Sequence, residues 1–138
     1  MQNTSTSSVA REIAATIVEQ IGRGTLMSLG GHNLTHGMIA TTADAPALPS
    51  LSFDARILPM TKGGHRGSTP RIMRVVVGLN GADYYDVHVS YPQRGDTYGQ
   101  KPRTVHYEAA DVNAGSLSRL LLALDYDGTA VLNPRLVP

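Results

Sequence analysis

Five histidines are the residues of this chain best suited to chemistry near neutral pH: His32, His36, His65, His88 and His106. His32 and His36 are four apart, a spacing that would let two imidazoles share a metal on one helix face. Gly30, Gly31, Asn33 and Gly37 surround them, and glycine at that density argues against a helix. His88 and His106 fall in two segments that alternate apolar and polar residues, so they could be cross-strand neighbours. Asp86 or Glu108 would then stand beside them. Two histidines and a carboxylate can bind zinc, which makes a small metal-dependent enzyme one reading. The plainer reading is of polar side chains on a solvated sheet, and no residue is assigned as a metal ligand and no cofactor is expected.

Covalent catalysis finds less support. The chain has no cysteine, which excludes disulfides, thiol nucleophiles and thiolate-held metal. Serines are plentiful, but no Gly-x-Ser-x-Gly elbow occurs and no serine carries a cue pairing it with a base. Gly22-x-Gly24 and Gly63-Gly64 lack the lysine and the strand-to-helix setting of a phosphate loop. No catalytic residue is assigned, and the expectation is that the protein is not an enzyme.

Binding chemistry is better represented. Net charge is only +1, too small to imply a nucleic-acid partner alone, but the charges cluster. Arg56, Lys62, Arg66, Arg71 and Arg74 stand against a single acid between Asp54 and Arg74, and Arg94, Lys101 and Arg103 follow as a second group. The loop 62–74 could contact phosphates, with Tyr84 and His88 stacking bases, as single-stranded nucleic-acid binders do. Against this, the chain has one phenylalanine and no tryptophan. A glycine-rich basic loop is also commonly just solvated.

The elements that must position these residues follow from periodicity. Residues 1–8 read as a flexible, Ser/Thr-rich N-terminus, and 9–138 as one domain of ordinary size. Ser8 is the expected N-cap of a helix with an apolar stripe at Ala10, Ile13, Ala14, Ile17, Val18 and Ile21, closed by Gly22 and Gly24. Leu26–Leu29 reads as a short strand and 35–50, with Pro46 and Pro49, as a loop. Leu51, Phe53, Ala55 and Ile57 alternate with polar residues and predict a strand. Residues 59–71 read as a basic loop. Met73 to Leu79 and Tyr85 to Tyr91 alternate on either side of Asn80-Gly81-Ala82-Asp83, and Asn-Gly between such runs signals a hairpin. Val105 and Tyr107 suggest a further strand. Asp111 is the expected cap of a second helix with the stripe Ala114, Leu117, Leu120, Leu121 and Leu124, and Ala130–Leu132 could add a short strand.

The order is helix, strands, helix. It implies an α+β fold: an antiparallel sheet of four to five strands, with N-terminal and C-terminal helices packed on one face. The alternation then assigns the opposite face to Ser52, Asp54, Arg56, Arg74, Val76, Tyr84, Asp86, His88, Ser90, Thr104, His106 and Glu108. From that face and the basic loop, the candidate binding residues are Arg56, Arg66, Arg71, Arg74, Tyr84, His88 and His106. Such a surface can meet a protein, stack bases or pair with a second copy as a homodimer.

Several segments come in a familiar order: Ala15-Thr16-Ile17-Val18-Glu19-Gln20-Ile21-Gly22, Leu26-Met27-Ser28-Leu29-Gly30-Gly31-His32-Asn33-Leu34, Leu51-Ser52-Phe53, the strand pair containing Val75 to Val87, and Asp111-Val112 before a leucine-rich helix. Together, over roughly residues 15–122, they resemble a group of short phage and prophage proteins of unknown function. Gly31-His32 stands where that group has Ala-Lys, and the loops at 35–50 and 59–71 look longer. The resemblance implies an origin in a virus or mobile element and action inside a bacterial cell; the free sheet face and the absence of a catalytic constellation lead to a host or phage protein as the expected partner. No stretch approaches the roughly 20 apolar residues that span a bilayer, and Met1 to Ser8 lacks the basic start and apolar centre of a signal peptide. A cytoplasmic location is therefore expected, with no membrane partner. The Gly30-Gly31-His32-Asn33 turn has a structural reading, since glycine takes unusual backbone angles and asparagine bonds its own backbone.

Overall fold

The computed structural model of the chain describes residues 2–59, 67 and 69–124. Helix α1 spans Gln2–Ile21 and helix α2 Arg23–Ser28. Strands β1 His32–Ile39, β2 Leu48–Ile57, β3 Arg71–Leu79, β4 Tyr85–Tyr91 and β5 Thr104–Val112 follow, and helix α3, Ala114–Ala123, comes last. The strands form one antiparallel sheet in the order β1-β2-β3-β4-β5. This is an α+β meander with helices at the two ends, as the periodicity predicts.

The alternation in β2, β3 and β4 gives one face to the core. Leu51, Phe53, Ala55 and Ile57, then Met73, Val75 and Val77, then Tyr85, Val87 and Val89 are all buried. The α1 stripe Ala14, Ile17 and Ile21 and the α3 stripe Leu117, Leu121 and Leu124 bury against them in one cluster. Both helices therefore cover the same side of the sheet. The Tyr85 hydroxyl donates to Oε1 of Gln20, tying the sheet to α1. The hydroxyls of Thr25 and Ser118 bond at 2.7 Å and join α2 to α3.

Several local expectations give way. Helix α1 begins at Gln2, upstream of Ser8, so Ser8 is an interior residue and not its cap. Leu26–Leu29 lies in and just after a helical turn. Leu26, Ser28 and Leu29 are buried while Met27 is 60% exposed, and the N–H groups of Leu26 and Leu29 bond the carbonyls four residues back, at Gly22 and Thr25, as in a helix. Gly22, at φ 88°, ends α1 and lets the chain restart as α2, which contains Gly24.

The stretch read as a loop holds all of β1 after residue 34 and the start of β2. Among the described residues β1 pairs only with β2, and it is exposed along most of its length. An edge strand without a buried face shows no apolar alternation to read.

The second helix is capped by Asn113, whose Oδ1 accepts from the Ser116 N–H at 2.9 Å. Asp111 instead sits at φ 56° in β5. The hairpin turn is also longer than a two-residue Asn-Gly loop. The Asn80 N–H donates to the Tyr84 carbonyl, and the left-handed residue is Asp83, at φ 64°. Asn80 organises the turn: its Oδ1 accepts from the N–H groups of Ala82 and Tyr84, and its Nδ2 donates to Asp86 and Asp111.

Both outer strands are irregular. β1 shifts register between His32 and Thr35, with Asn33 at φ 55°. β5 shifts twice. Val105 stands opposite Ser90 while Tyr107 stands opposite Val89, and Ala109 stands opposite Val87 while Val112 stands opposite Tyr85. Each shift inserts a residue without a partner, a β-bulge.

Candidate functional site

The sheet face away from the helices is not flat and open. The β1–β2 connection, residues 40–47, folds across it, so that Thr41, Ala45 and Pro46 line the same recess as Val76 and His88. The result is a groove in two halves, each of about 350 Å³, which share Ile39, Thr41, Val76 and His88. Ser50, Ser52, Val76 and Ser90 on this face are accordingly buried rather than solvated. Recesses of this size, apolar with a few polar groups, are the usual form of ligand sites.

Close packing shapes the floor. Gly78 pairs with Ser50 across β2 and β3. A Cβ there would lie 2.8 Å from Ser50 Oγ and 3.1 Å from Leu48 Cβ. The glycine is what lets Leu48 settle against the sheet.

The two halves differ in charge. One is lined by Arg74, Arg103, Ser90 and His88, the other by Asp86, Glu108 and His88. Arg103 is fixed by two hydrogen bonds to Ser90, from Nε to Oγ at 2.9 Å and from Nη2 to the carbonyl at 3.0 Å. Burial and the like charge of Arg74 push its pKa down, and Asp54 opposes them; the guanidinium stays charged. Asp86 Oδ1 is occupied by the Asn80 side chain and the Asp111 N–H.

His88 lies where the halves meet. Its pKa is lowered, chiefly by burial; Glu108 raises it and Arg103 lowers it further. The ring is thus held toward the neutral form. Its Nε2 is buried and has no hydrogen-bond partner among the described residues.

The candidate residues named from sequence divide into separate places. Arg74 and His88 come together in the groove. Arg71 and His106 do not join them. The Arg71 guanidinium lies 4.4 Å over the ring of Tyr91 and donates to the Pro92 carbonyl. His106 is tilted against the same ring at 6.4 Å, and Tyr91 packs against the core on the helix-covered side. The β5 bulge is the cause: it gives the groove Val105, expected to face inward, and turns His106 away. His88 and His106 therefore do not share a site, and the described residues contain no group of three or more histidine or acidic side chains placed to hold a metal.

Tyr84 sits in the turn before β4, 44% exposed, and is not part of the sheet face. Arg56 is exposed at the end of β2, where its aliphatic stem covers Gly30. Arg66 lies outside the described residues, as do most of the basic loop and the suggested strand Ala130–Leu132. His32 and His36 are on β1, and His32 Nδ1 bonds its own turn at the Gly30 carbonyl.

Sequence reasoning missed Arg103 as a site residue and the 40–47 cover. Arg103 was visible only as a member of a charge cluster, and nothing in a polar, proline-containing stretch says which way it folds.

Fold and groove together define a small α+β protein with a covered recess on its sheet. Comparison with protein-family models, with curated proteins and with solved structures finds no match for the chain. No helix among the described residues is long and apolar enough to cross a membrane.

Proposed function

We propose that the protein is a non-catalytic binding protein that holds a segment of a macromolecular partner in the groove beneath residues 40–47. One observation carries this reading: a covered recess whose two halves, each of about 350 Å³, are apolar where they meet and carry opposite charge at their far ends. Mixed charge at the two ends and apolar residues between them suit a segment that is itself amphipathic. The lack of cysteine and of a nucleophile elbow supports a role without turnover. The resemblance to short phage and prophage proteins supports a host or viral partner in the bacterial cytoplasm.

The test is capture from bacterial lysate with the intact chain and with Val76→Lys, each with and without nuclease. Val76 is on the floor shared by both halves, so a lysine there fills the groove. The reading expects a partner retained by the parent chain, unaffected by nuclease, and lost by a Val76→Lys protein whose circular dichroism is unchanged. A partner removed by nuclease would instead favour single-stranded nucleic acid. Retention by a folded Val76→Lys protein would defeat the groove as the binding surface.

A further inference from the structure

We infer that the arginine half of the groove is a carboxylate seat, built to take the C-terminal carboxylate of a partner chain that ends in an apolar residue. This rests on the groove being the binding surface.

The argument begins with a charge imbalance. Arg74 and Arg103 line one recess and are close enough that the charge of Arg74 acts on Arg103. Arg103 is half-buried beside the exposed Arg74, and like charges lining one recess repel unless an anion stands with them. Among the described residues Asp54 is the carboxylate whose charge favours Arg103, and its Oδ2 already accepts from Asn33 at 3.0 Å. Asp54 is also the register partner of Arg74 across β2 and β3. The fold also spends structure on holding Arg103 in place: two of its N–H groups are bound to Ser90. The rest of its five-donor fork remains for an oxyanion.

The surroundings choose among oxyanions. Val76, Val105 and Ile39 line the same recess, so the head group must be carried on an apolar body. Beyond His88 the groove turns acidic at Asp86 and Glu108. A nucleic-acid strand or polyphosphate extending that way would meet like charge. A chain end has one anionic head, an apolar last side chain and neutral amides behind it.

The probes are an acetylated tripeptide ending in leucine, as free acid and as C-terminal amide, and inorganic phosphate. Each is titrated into the intact protein at matched ionic strength, with binding read by calorimetry and by the Arg103 Nε–H signal in NMR. The free acid should bind at least tenfold more tightly than the amide, the difference expected for one charge-assisted contact of about 1.4 kcal/mol. Arg74→Gln should lose that preference. Arg74 is exposed and holds no part of the core, so this variant reports even if Arg103→Gln fails to fold. Equal binding of acid and amide, phosphate binding as tightly as the acid, an unaltered Arg74→Gln protein, or no binding of any probe would each overturn the carboxylate seat. If such a result came with lysate capture still abolished by Val76→Lys, the groove would stand and the seat alone would fall. Capture insensitive to Val76→Lys would instead remove the reading beneath it.

Discussion

Arg103 holds Ser90 at two points, hydroxyl and carbonyl, at 2.9 and 3.0 Å. The pair clamps the residue just before β5 onto β4 and fixes one wall of the groove. Ser90→Ala removes one of the two bonds from a buried position. The expected loss is about 1 kcal/mol, read as a lower urea midpoint with an unchanged slope. Arg103→Lys should lose more than the charge count suggests, because an ammonium cannot reproduce the planar fork.

His88 makes stability depend on pH. Its pKa in the fold lies below the ordinary value of 6.5 because burial opposes the charge. As pH falls below about 6.5, the unfolded chain takes up the proton before the folded one, so stability must decrease. The decrease ends once pH is below the folded pKa. Thermal unfolding from about pH 8 down to pH 5 should show this slope, and His88→Gln should flatten it.

Gly78 is a packing requirement rather than a turn residue. Adding a methyl group brings it to 2.8 Å from Ser50 Oγ and 3.1 Å from Leu48 Cβ. The hydroxyl can rotate away, but Leu48 Cβ moves only with its backbone. Gly78→Ala should therefore cost about 1–3 kcal/mol by overpacking, measured by urea denaturation. The same variant should weaken ligand binding, because Leu48 also lines the groove.

Phe53 is the largest fully buried side chain, 1% exposed at the centre of β2. Phe53→Ala should cost about 3–5 kcal/mol. For a domain of ordinary marginal stability that approaches the whole margin, so the variant should lose its cooperative thermal transition near ambient temperature.

Asp83 holds φ 64° in the β3–β4 turn, a conformation that disfavours any residue with a Cβ. Asp83→Gly should raise stability by up to about 1 kcal/mol, seen as a higher melting temperature. The neighbouring Gly81→Ala should not mirror it, since a Cβ at Gly81 meets open space and its φ is not positive.

Legibility in the sequence followed burial. Met73, Val75, Val77, Val87 and Val89 alternate because one face of β3 and β4 is sealed under helices, and that pattern alone gave the sheet, the hairpin and the side on which the helices lie. β1 has no sealed face and left no such trace. Leu26-Met27-Ser28-Leu29 is too short for period two to be told from period three by residue type; the burial of Leu29 beside Ser28 and the Leu29 N–H bond to the Thr25 carbonyl decide it. The site was half legible. Arg74 and His88 were placed by counting along regular strands. His106 was misplaced because counting fails across a bulge, where one extra residue reverses every later assignment until a second shift. Arg103 precedes β5 and has no period to count.

The bulges have one more effect. Among the described residues β1 and β5 are the edge strands, and both carry displaced residues and left-handed backbone at Asn33 and Asp111. A straight strand from another molecule would find neither edge presenting an even row of amide and carbonyl groups. Self-association by strand addition is thereby discouraged at each end, so copies of this chain should resist stacking into fibrils even when concentrated.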